Sequence, residues 1–150
     1  MKYVIRAGAV LLLLCIAAAF GVFLYLQPSD VVMSNYRSLE AARADRLFDR
    51  GWLPDILPPS AHSIRTSNNL DLNTSEGQFS FSASEYPSFA AQLQPYRPVV
   101  APFVAFDEGV TKMKHKGFQP LIYEVDGTVW VFFCKPGNGY CEYDMWLRRG

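Results

Sequence analysis

Cys134 and Cys141 are the side chains in this chain best placed to react with one another. In an oxidising compartment they are expected to form a cross-strand disulfide, with free buried thiols as the alternative. Redox work calls for a Cys-x-x-Cys turn with a depressed thiol pKa, and the spacing here is different. A zinc site would need two more ligands. Only His62 and His115 are available, one on a proline-rich segment and one on a basic segment, without metal-ligand spacing. Asp71-x-Asn73-x-Ser75 begins like a calcium loop, but Glu76 stands where the loop needs glycine and Ser82 where it needs the bidentate glutamate. A polar turn explains that segment better. Asn73-Thr74-Ser75 also fits a glycosylation acceptor. The chain has no Gly-x-Ser-x-Gly, no His-Glu-x-x-His and no glycine-rich phosphate loop. Adjacent carboxylates such as Asp107-Glu108 are accounted for by a helix N-terminus. These observations predict a non-catalytic protein without metal or cofactor.

The elements that position these groups follow a long apolar run. Residues 7–26, AGAVLLLLCIAAAFGVFLYL, carry no charge. At about 1.5 Å per residue a helix of that length spans about 30 Å, the hydrocarbon thickness of a bilayer. Lys2 and Arg6 precede the run and Gln27-Pro28-Ser29-Asp30 follow it, so the N-terminus (residues 1–6) is expected on the cytoplasmic side. The length favours an uncleaved signal anchor over a cleaved signal peptide. Leu14 sits where a lipoprotein signal wants a small residue, so Cys15 reads as filler in the helix. The predicted organisation is a transmembrane helix over 7–26, a linker over 27–33 and an exported α+β domain over 34–150.

After position 27 there are 12 basic and 14 acidic residues. That balance argues against nucleic acid as a partner. The basic cluster Lys112-Met113-Lys114-His115-Lys116 reads as a solvated helix face. Helix formers between Ser34 and Arg50, with Ser34 or Ser38 as cap and Gly51 as stop, predict a helix over 34–50. Trp52 to Ala61 contains three prolines together with Trp52, Leu53, Ile56 and Leu57, and reads as an ordered, packed connector. Strands are expected over 63–69 and 77–83, with Phe79 and Phe81 inward. A short helix is expected over 84–94, an extended segment over 96–103, and a helix over 107–116 capped by Asp107 and stopped by Gly117.

The last third reads as a three-stranded antiparallel meander: 121–125, 129–134 and 140–146. Asp126-Gly127 marks a two-residue hairpin that sets Tyr123 opposite Trp130 and Leu121 opposite Phe132. Setting Cys134 opposite Cys141 then places Phe132 against Tyr143 and Trp130 against Met145. One face is left free of charge; the other carries Glu124, Val131, Phe133, Glu142, Asp144 and Trp146. A one-residue slip would bury the charges.

The stretch Arg50-Gly51-Trp52-Leu53-Pro54, through Leu57-Pro58-Pro59-Ser60-Ala61 to Ile64, and then Asn69-Leu70-Asp71-x-Asn73, resembles a family of small membrane-anchored bacterial envelope proteins. The resemblance covers roughly residues 36–81 plus the aromatic and Cys pair of the last hairpin. It implies a location, the bacterial inner membrane with the domain periplasmic or extracellular, and no chemistry. This chain departs from some members in lacking the lipoprotein cysteine context. The function expected is a binding or assembly module, held in the bilayer through residues 7–26 and meeting another envelope protein. Trp52, Leu53, Val131, Phe133 and Trp146 are its candidate contact residues, the alternatives being that helices cover that sheet face and that the connector caps the core. The alternatives are a small envelope enzyme or ligand binder, gathering His62 or His115 with Asp71 or Asp107, and a toxin-neutralising immunity protein.

Overall fold

The computed structural model describes residues 30–148. The apolar run 7–26 and Cys15 lie outside them, and among the described residues no helix is long and apolar enough to cross a membrane. The domain is α+β. Its strands are β1 (Val31–Ser38), β2 (His62–Asn69), β3 (Thr74–Ser80), β4 (Gln94–Pro95), β5 (Gln119–Val125), β6 (Thr128–Lys135) and β7 (Tyr140–Leu147). Its helices are α1 (Leu39–Ala44), α2 (Tyr86–Ala90) and α3 (Phe106–His115). The strands form one sheet in the order β1-β2-β3-β7-β6-β5-β4, every neighbouring pair antiparallel.

The meander has the register its sequence dictates. Tyr123 faces Trp130, Leu121 faces Phe132, Phe132 faces Tyr143, Trp130 faces Met145 and Cys134 faces Cys141. Cys134 and Cys141 are disulfide-bonded with Cα atoms 4.1 Å apart. β3 extends the sheet from β7, setting Phe79 against Cys141 and Glu76 against Asp144. Gly77 faces Tyr143 there. A Cβ on Gly77 would stand 2.2 Å from the Arg65 carbonyl and 2.7 Å from the Tyr143 ring, so no larger residue fits.

The expected helix over 34–50 is corrected. Residues 34–38 continue β1, pairing with β2 as far as Ser38 opposite His62. The run beginning Val31-Val32-Met33 has β-rich character, and the ladder to β2 satisfies its backbone groups, which outweighs helix propensity. The linker expected over 27–33 therefore ends earlier, since β1 starts at Val31. Ser38 does cap the helix: its hydroxyl accepts from the Ala41 N–H at 3.2 Å. Arg46, at φ 57°, breaks the helical path, and a single 3-10 turn at Phe48–Arg50 ends in Gly51 at φ 76°.

The charge-free face of the sheet is covered by α1, the connector and α2. Leu39, Leu47, Leu53, Leu57 and Ile64 pack there with Phe79, Phe89 and Phe132, whose rings meet edge to face at 5.4–6.1 Å. The proline-rich connector is held as expected of a packed segment: the Trp130 indole donates to the Trp52 carbonyl, and the Ser60 N–H and hydroxyl donate to Glu85. The opposite face carries a second core of Val110, Phe118, Ile122, Val129, Val131, Phe133 and Trp146. α3 and the irregular strap over residues 96–105 close it, and the Trp146 indole donates to the Val100 carbonyl at 3.1 Å. α3 starts from Ala105 at φ 56° rather than from a side-chain cap, so Asp107 lies in its first turn and accepts from the Tyr96 hydroxyl.

Candidate functional site

The covers of the two faces do not reach equally far. α3 and the strap sit over β5, β6 and β7, while the same face of β1, β2 and β3 has no helix on it among the described residues. The step between the covered and uncovered halves is a groove of about 670 Å³. One wall is the strap and α3, with Phe103, Phe106, Val110 and Met113, and Phe133 lies at its base. The other is the ladder, from Met33 and Asn35 across Arg65 and Ser67 to Glu76 and Gln78.

The floor of the groove is acidic because of strand register. β7 presents alternate residues to this face, so Glu142 and Asp144 sit on it together. β3 then adds Glu76 directly opposite Asp144. Like charges directly opposed across strands are destabilising. None of the ion pairs among the described residues involves Glu76, Glu142 or Asp144. Burial, then the Glu76 and Glu142 carboxylates, push the Asp144 carboxyl up to about 6. Glu142 accepts from the Tyr140 hydroxyl at 3.0 Å, and that phenol is itself pushed up to about 12 by burial and then by Glu142. Lys112 and Lys116 reach the rim from α3 and stay exposed, as a solvated helix face requires.

The side chains singled out from the sequence are distributed differently. Val131, Phe133 and Trp146 are 0%, 5% and 1% exposed, so α3 and the strap take them into the second core. Leu53 is fully buried in the first core, and Trp52 is half-buried against it. His62 lies at the start of β2, its Nδ1 3.0 Å from the Ser60 carbonyl, while Asp71 is in the turn beyond the other end of the same strand. His115 and Asp107 lie at opposite ends of α3. No His is brought to the Asp that could have served it, and no group of three or more His, Cys, Asp or Glu among the described residues has metal-binding geometry. Leu70 to Asn73 form a tight turn, with the Leu72 N–H bonded to the Asn69 side chain at 2.9 Å and Asn73 at φ 53°, and Thr74 and Ser75 already belong to β3.

The acidic floor was hidden from sequence reasoning by one missing pairing. Alternation alone places Glu142 and Asp144 on the second face, but Glu76 joins them only through the β3–β7 ladder, across some seventy residues.

Residues 30–80, about a third of the chain, match the family model described as the YbbD head domain. The matched segment runs from the start of β1 to the end of β3. It therefore includes the Glu76 and Arg65 side of the groove and excludes α3, the strap and Asp144. No curated protein and no solved structure matches the chain significantly.

Proposed function

We propose that the protein is a non-catalytic binding module of the bacterial cell envelope, anchored by residues 7–26, and that its binding surface is the groove between α3 and the open half of the sheet. The observation that carries this reading is the set Glu76, Glu142 and Asp144, none in a direct ion pair among the described residues, lying beside the apolar wall that α3 and the strap provide. A folded domain tolerates opposed carboxylates most readily where a ligand completes them, and a cationic group on an otherwise apolar partner segment would do so. The size of the groove is in the range of sites that hold a peptide side-chain cluster or a small molecule. Its placement, on a face reached from the solvent side of the sheet, suits a partner protein in the same compartment.

A photo-crosslinking residue at Ser67, in the groove, tests the reading in intact membranes. A discrete crosslinked partner, lost when Glu76→Gln and Asp144→Asn are combined, is the expected result. Crosslinks that are absent, or that are indifferent to both substitutions, would overturn it.

A further inference from the structure

We infer that one end of the sheet rests on the bilayer surface, so that the domain docks on the membrane as well as being tied to it. This end is where β1 starts. The Leu70 N–H donates to the Asp30 carbonyl at 2.8 Å, which fixes the β2–β3 turn beside the first described residue. Asp30 is only four positions beyond Leu26, the last residue of the apolar run, a reach of at most about 14 Å. If residues 7–26 span the membrane, as the reading above holds, this end of the domain has no room to stand away from the lipid.

The same end is apolar in a way the other is not. Leu70 and Leu72 at the β2–β3 turn are 51% and 59% exposed, and Val32 at the start of β1 is 44% exposed. Val125, before the β5–β6 turn, and Leu147, at the end of β7, are 41% and 43% exposed. Val100, on the strap, belongs to the same end: it shares a shallow cavity with Leu72 and Leu147. The opposite end, formed by the β6–β7 turn and the chain around Ala61, carries no exposed large apolar side chain among the described residues. Isolated exposed aliphatics are ordinary, whereas a set gathered on one rim marks a contact surface.

Charge supplies little of the attraction. Arg97 and Arg148 are both paired with Glu124, at 2.8 and 2.7 Å, and Asp30 and Asp71 flank the turn. Contact through aliphatic tips is therefore expected to work on zwitterionic lipid and to resist salt, unlike the docking of a basic patch.

The test uses the full chain, with Cys15→Ser, reconstituted in phosphatidylcholine vesicles. An environment-sensitive fluorophore is attached to Leu72→Cys or, as the control at the far end of the sheet, to Asn138→Cys. Leu72 is exposed, so the label does not disturb the core. Nitroxide-bearing lipid should quench the label at position 72 several-fold more than the label at position 138, with blue-shifted emission and no change in high salt. Equal, weak quenching of both labels in a chain that resists carbonate extraction would overturn the docking alone. Release of the chain by carbonate would overturn the anchor and the docking with it.

Discussion

Asp144 shows how one residue can carry a cost that the rest of the domain absorbs. Its carboxyl titrates near 6 when folded, against about 3.9 in an unfolded chain. Between those values the folded state holds the extra proton, so the contribution of Asp144 to stability is most favourable below pH 4, falls as pH rises from 4 to 6, and stays low above. The loss across that window is roughly 2–3 kcal/mol. Asp144→Asn should remove this dependence and leave the protein more stable at pH 7, which denaturant titrations at pH 4 and pH 7 would reveal. Gly77 is constrained by space rather than charge. Gly77→Ala would drive a methyl group into the Arg65 carbonyl and the Tyr143 ring, and should cost about 2–3 kcal/mol in the same measurement.

At the scale of elements, the β5–β6–β7 meander is the part most fully determined by local sequence. Asp126-Gly127 sets the first turn and strict alternation sets the faces. Setting Cys134 opposite Cys141 then gives β6 and β7 a register that keeps one face free of charge, and the structure has both that register and the disulfide. A non-reduced intact mass two hydrogens below that of the reduced chain is expected, and reduction should lower stability by about 2.5 kcal/mol, the value for so short a loop. The N-terminal half was legible less far. Residues 34–38 have enough helix-compatible neighbours to read as a helix, and only the partner strand β2, reached after the long connector, makes them a strand. Whether helices cover Val131, Phe133 and Trp146 or leave them as a contact surface was likewise open to either answer from alternation alone. The strap has no periodicity of its own, and its place over Trp146 depends on a tertiary hydrogen bond to Val100. The groove lay further still from view, because it exists only where α3 and the strap stop.

For the whole molecule, the second core is a lid closed by few residues. Trp146 meets Phe103 and Phe106 edge to face at 5.7 and 5.1 Å besides bonding Val100. Trp146→Ala should therefore cost about 3–5 kcal/mol and make the strap more susceptible than the parent's to limited chymotryptic cleavage after Tyr96 or Phe103. The two borders of the sheet differ as well. At one border β4 is two residues long and ends in Pro95, which has no N–H to offer a further strand. At the other, β1 runs for eight residues without a proline or a lysine. Sheet growth is thus blocked on one side only. Two copies of the domain meeting edge to edge would join β1 to β1 and end there, with both remaining borders closed by proline. Association of this kind terminates at a pair instead of running on into a fibre.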